Sequence, residues 1–140
     1  MAHATSTFKS RIGGQANLLS RIELVDGTVF GSYTKVAYPA HITGDRMYAD
    51  PNAFVYWQNE RTFFEATPNS KSQFDVAKNF LFSVGNTYHW DGFWFEKDLQ
   101  VVNPGRNTLT ISSDQYTGLF INFTSNAVRS VKMFRLIFWW

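Results

Sequence analysis

The apolar residues of this chain come in short runs, and no window sustains the 3.6-residue stripe of an amphipathic helix. The runs are rich in Phe, Tyr, Val, Ile and Thr, side chains that suit a pleated, half-buried surface. Gly, Pro, Asn and Asp separate them and mark turns. Residues 19–25 and 28–33 flank Asp26-Gly27, the pair favoured by a two-residue type I′ turn because both central residues need positive φ. Residues 54–58 and 62–66 flank Asn59-Glu60-Arg61 and predict a second hairpin. Residues 80–84 and 87–90 flank Gly85-Asn86, with glycine placed for a type II′ turn. A strand over 92–102, interrupted by Glu96-Lys97-Asp98, and strands at 108–112, 119–123 and 131–140 complete the set. Residues 38–52 and 67–71 read as connections, and 75–81 as one helical turn at most. Roughly eight to ten short strands at this spacing predict a single all-β domain, an antiparallel sandwich or barrel. It should span residues 18–140, with 1–17 as a flexible N-terminal arm punctuated by Gly13-Gly14.

Such a domain needs a core, and the rings supply it. The chain holds 14 Phe, 6 Tyr and 5 Trp in 140 residues, and each ring buries about 150–250 Å². There is no cysteine, so neither a disulfide framework nor a thiolate metal site can assist. In the last predicted strand the period of two puts Val131, Met133, Ile137 and Trp139 on one face. Phe134, Leu136, Phe138 and Trp140 fall on the other. An exposed end with two apolar faces would aggregate, so this strand is expected to dock on the chain. Self-association of two copies through the C-terminal strand is the alternative.

Charge and hydropathy narrow the partners. The net charge is +2, and Lys and Arg stand singly rather than in a phosphate-tracking run, so no nucleic-acid partner is expected. The longest apolar stretches fall far short of the ~20 residues of a membrane span. The N-terminal residues carry no apolar leader, so the expectation is a cytoplasmic protein with no membrane contact. Without a leader, the sequon at Asn122-Phe123-Thr124 reads as coincidence.

No motif dictates a reaction. The histidines are His3, His41 and His89, and HExxH, GxSxG, GxGxxG and a P-loop are all absent. Glu96 and Asp98 would share one face of a strand, which suits a solvated strand end better than two carboxylates flanking a glycosidic bond. Trp57, Trp90 and Trp94 could form a sugar-stacking platform, with Asn86 and Asp91 supplying hydrogen bonds, in a lectin-like module. With so many rings the default place of each is the core. A small hydrolase centred on His89 and Asp91 is a third reading.

The segment 108–134 ends in Ser125-Asn126-Ala127-Val128-Arg129-Ser130-Val131-Lys132, which resembles the close of a βγ-crystallin Greek-key motif. In that family a polar arch, Asn/Asp-Asn/Asp-x-x-Ser/Thr-Ser, supplies oxygen ligands for Ca²⁺, and an apolar strand then closes the sandwich. The resemblance implies an antiparallel Greek-key β-sandwich, with Ser125, Asn126 and Ser130 at the arch. Ser125 stands at the first amide or acidic position, and Arg129 takes the place of a hydroxyl. A guanidinium there repels a divalent cation, so weak or no Ca²⁺ binding is expected. As a whole the chain also resembles the abundant perithecial proteins of fungal fruiting bodies. That likeness implies a non-enzymatic, cofactor-free structural or storage protein, accumulated at high concentration.

Overall fold

The computed structural model describes residues 4–41, 46–67, 73–76, 81–85, 91–96, 98–105 and 109–137. One helix, α1 (Ala4–Ile12), precedes the strands β1 (Leu18–Leu24), β2 (Val29–Thr34), β3 (Arg46–Ala49), β4 (Phe54–Trp57) and β5 (Thr62–Glu65). There follow β6 (Gln73–Val76), β7 (Phe82–Val84), β8 (Phe93–Phe95), β9 (Thr110–Ser112), β10 (Phe120–Asn122) and β11 (Val128–Arg135). They form a five-stranded sheet ordered β11-β1-β2-β4-β5, a four-stranded sheet ordered β3-β6-β7-β8, and the hairpin β9–β10. Neighbouring strands are antiparallel throughout. The chain is therefore all-β in its sheets, as the short apolar runs predict.

Register decides which side chains meet. Ile22 lies opposite Phe30, Phe30 opposite Trp57, and Val55 opposite both Ser32 and Phe64. One face of the five-stranded sheet therefore carries Leu18, Ile22, Leu24, Phe30, Val55 and Phe64 inward. They share a single core with Phe82, Val84, Phe93 and Phe95 of the second sheet and Ile111 and Ile121 of the small hairpin. Phe30 is the hinge of that core. It meets Phe93 edge-on at 5.2 Å and stacks at 6.4 Å on Phe123, arrangements that the ring quadrupole favours.

The N-terminal segment differs from the expected arm. α1 docks through Phe8, which meets Tyr38 edge-on at 6.2 Å, and through buried Ile12. Tyr38 is itself buried and donates its hydroxyl proton to the Leu81 carbonyl at 2.7 Å. Phe8 and Ile12 are four apart and lie on one helical face, but two apolar residues are too few to raise a stripe in the sequence.

The turns also depart in detail. The β1–β2 loop has three residues, Val25-Asp26-Gly27, closed by Gly27 N–H to the Leu24 carbonyl at 3.0 Å and Leu24 N–H to the Thr28 carbonyl at 2.9 Å. Gly27 has φ 91° while Asp26 stays out of the left-handed region, which makes this a type I turn followed by a bulge rather than type I′. Phe82 lies opposite Phe95 and Val84 opposite Phe93, so β7 pairs with β8, while the run 87–90 lies outside the described residues. Gly85 and Gly92 mark where the two strands meet. Both have positive φ, and a Cβ on Gly92 would lie 1.8 Å from the Val84 carbonyl oxygen and 2.9 Å from the Gly85 Cα. The two glycines mark a close backbone crossing, a use of Gly that a turn signal conceals.

Three further segments differ. The expected connection 38–52 contains β3, the expected helical turn at 75–81 opens on the last two residues of β6 with 77–80 outside the described residues, and among the described residues of 92–102 only β8 is a strand. Beyond it Asp98 accepts the Gln100 N–H at 2.9 Å in a local turn, so Glu96 and Asp98 do not share a strand face. In β11, Val131 and Met133 pack against the core, while Phe134 on the other face is 44% exposed. Phe138, Trp139 and Trp140 lie outside the described residues.

Candidate functional site

Of the residues named from sequence for sugar stacking, the two described tryptophans stand on different sheets. Trp57 stands on β4, half-buried, on the face that turns toward the core. Trp94 stands on β8 in the other sheet; it is 6% exposed and its Nε1 donates to Glu96 at 3.3 Å. Trp94 is thus buried, and Trp57 packs against the core. Asn86, Trp90 and His89 lie outside the described residues. Asp91 is 7% exposed and enters a different constellation.

That constellation is a shallow groove of about 550 Å³, lined by Thr67, Asp91, Ser112, Ser113, Asp114, Tyr116, Thr117, Gly118 and Leu119. Four pieces of chain meet there: the exit of β5, the entry to β8, the end of β9 and the turn into β10. Backbone hydrogen bonds hold them together. Thr67 N–H donates to the Gln115 carbonyl at 3.0 Å, Thr117 N–H to the Glu65 carbonyl at 2.8 Å, and Gly92 N–H to the Ser112 carbonyl at 2.7 Å. Ser113 Oγ accepts the Gln115 N–H at 3.1 Å and shapes the turn from within. The crossing of Gly85 and Gly92 fixes the backbone beside Asp91. The result is a wall of hydroxyls and two carboxylates, a lining suited to hydrogen-bonding a hydroxylated ligand. Sequence reasoning found only Asp91 of this set. Ser112-Ser113-Asp114 with Thr117-Gly118 was the available signal, a polar stretch between two β runs.

The suspected calcium arch is committed to something else. Asp26, at the tip of the β1–β2 hairpin, reaches across 98 residues of sequence. Its Oδ2 accepts the Thr124 N–H at 2.7 Å, the Thr124 hydroxyl at 3.1 Å and the Ser125 N–H at 3.3 Å, and its Oδ1 accepts the Thr28 N–H at 2.8 Å. Ser125 Oγ accepts the Ala127 N–H at 3.2 Å, the Asn126 carbonyl accepts the Val102 N–H at 3.1 Å, and Ser130 lies within β11 opposite Glu23. Arg129 donates to the Val25 carbonyl at 3.3 Å. The arch thus turns N–H donors toward a carboxylate and adds a guanidinium, a donor set that does not fit Ca²⁺. Partial burial pulls the Asp26 pKa upward, but the backbone N–H groups of Thr28 and Thr124 and their hydroxyls together outweigh it and hold it at about 2.

Among the described residues, no group of three or more His, Cys, Asp or Glu side chains converges on a point. No described helix is long and apolar enough to cross a membrane. No family model matches the chain, and no curated protein shows significant similarity to it.

Proposed function

We propose that this chain is a non-enzymatic structural or storage protein of crystallin-like character, a Greek-key β-sandwich accumulated at high concentration in the cytoplasm. The observation that carries this reading is how the chain ends are tied. β11 pairs with β1 from Leu18–Arg135 to Leu24–Val128, and Asp26 fastens the tip of the same hairpin to the loop before β11. Opening either end therefore disrupts the five-stranded sheet, which favours cooperative unfolding. The interlocked rings of Phe30, Phe93 and Phe123 add a core that needs no disulfide or metal. Differential scanning calorimetry and light scattering at rising concentration test the reading. We expect a single transition above the ~45–65 °C usual for mesophilic domains, scattering that grows only in proportion to concentration, and no shift with Ca²⁺. Melting below that range, or steep association with concentration, would overturn it.

A second reading, a carbohydrate-binding module, is favoured by the groove around Asp91, with its hydroxyl and carboxylate lining. Retention on immobilised polysaccharides should then be lost in Thr117→Ala, whose side chain is exposed at the groove rim. Undiminished retention in that variant, or none in the parent, removes this reading.

A further inference from the structure

Among the described residues, no strand pairs with the outer edge of β11 beyond its start, and this edge carries one sign of charge. At its start, Val128 N–H donates away from β1 to the Gln100 carbonyl at 2.8 Å, and Val101 bridges Ala127. A short stretch of chain has therefore already begun a strand on that side. From Arg129 onward, no described strand continues it. Leu136 N–H donates to the Asn17 carbonyl at 2.8 Å, toward β1. By the alternation of an antiparallel ladder, the amides of Val131, Met133 and Arg135 point the other way, out of the sheet.

The side chains along this edge are cationic. Arg129, Lys132 and Arg135 are all exposed. Lys132 also lies directly opposite Arg21 on the outer face, a like-charge cross-strand pair that opposes sheet formation on its own. Of the acidic groups nearby, Asp26 is held by Thr28, Thr124 and Ser125, and Glu23 stands opposite Ser130. A second copy of β11 would bring three further cations to this edge, so the charges resist self-pairing. They would favour a strand carrying carboxylates.

We propose that the free edge of β11, residues 129–135, is a docking site for an extended acidic peptide segment of another protein, which adds a sixth strand to the sheet. Backbone bonds to Val131, Met133 and Arg135 supply the pairing, and carboxylates on the outer face answer Arg21 and Lys132. An apolar side chain beside them covers part of exposed Phe134. The proposal does not depend on the structural or storage reading.

The test uses the full chain and two synthetic octapeptides, one alternating Val with Glu and one alternating Val with Lys. Amide exchange at Val131, Met133 and Arg135, followed by NMR, is the readout. The acidic peptide should slow exchange at these three amides at least tenfold, with an effect that weakens as salt rises, and the basic peptide should not. Lys132→Glu should reduce the protection severalfold. Met133→Pro, which removes an outward N–H from an edge strand, should abolish it. Absence of protection, equal protection by both peptides, or protection that appears with rising protein concentration alone would each overturn the proposal. The last outcome would identify the occupant as a second copy. Should Met133→Pro fail to fold, Lys132→Glu alone decides, because its side chain is exposed and its backbone is unchanged.

Discussion

Gly92 and Asp26 show how single residues set this architecture. Any side chain on Gly92 meets the Val84 carbonyl at 1.8 Å, and its φ of 76° is unfavourable to L-residues. The backbone must part to admit even a methyl group, which separates β7 from β8 and moves Asp91 from the groove. Gly92→Ala should therefore destabilise by about 3 kcal/mol or more, in the range of strained-backbone losses, measured by urea denaturation. Asp26 works through charge. Its folded pKa of about 2 lies below the ordinary aspartate value of 3.8, so the carboxylate contributes stability above pH ~4 and loses it as the pH falls toward 2. Asp26→Asn should cost about 1 kcal/mol at neutral pH, since a neutral amide oxygen is a weaker acceptor. It should also flatten the acid limb of stability, and denaturation at pH 7 and at about pH 3 measures both.

At the scale of elements, the runs of β-forming residues revealed most strands, because a half-buried strand is written in its own alternation. β1 shows this plainly, with Leu18, Ser20, Ile22 and Leu24 buried and the residues between them half-buried. What lay hidden depends on partners distant in sequence. α1 needs Tyr38 to receive Phe8, and β3 and β6 need each other, with Met47 opposite Asp75. Gly85 read as a turn glycine because its crossing partner, Gly92, is invisible until the sheet forms. Asp91 was the only groove residue legible as a site, since polar groups from four segments acquire meaning only when the fold gathers them. The β4–β5 hairpin offers a test at this scale. Its loop closes with Arg61 N–H on the Gln58 carbonyl at 3.1 Å and holds Arg61 at φ 51°. A non-glycine residue pays roughly 1–2 kcal/mol for that conformation, while glycine adds entropy to the unfolded chain. Arg61→Gly should therefore raise stability by about 0.5 kcal/mol, read as a higher urea midpoint with an unchanged slope.

Across the whole molecule, one buried phenol couples the N-terminal helix to the second sheet. Tyr38 receives Phe8 on its ring and donates to the Leu81 carbonyl, with Leu81 bound in turn through its N–H to the Phe95 carbonyl at 2.8 Å. Burial raises the Tyr38 pKa well above 10, and burial raises that of Tyr56 as well, against the lowering effect of Arg21. In the unfolded chain both phenols ionise near pH 10. Because the folded values are higher, the folded state keeps its protons longer. This contribution is complete below pH ~10 and is lost as the pH rises toward the folded values. Tyr38→Phe removes the ionisable group but leaves the Leu81 carbonyl without its donor. It should cost about 1–3 kcal/mol at pH 7 and lose less stability than the parent between pH 7 and about 11. Denaturation curves at the two pH values decide the matter. An equal alkaline loss in parent and variant would mean that Tyr38 is not the group whose ionisation opens the junction between α1 and the four-stranded sheet.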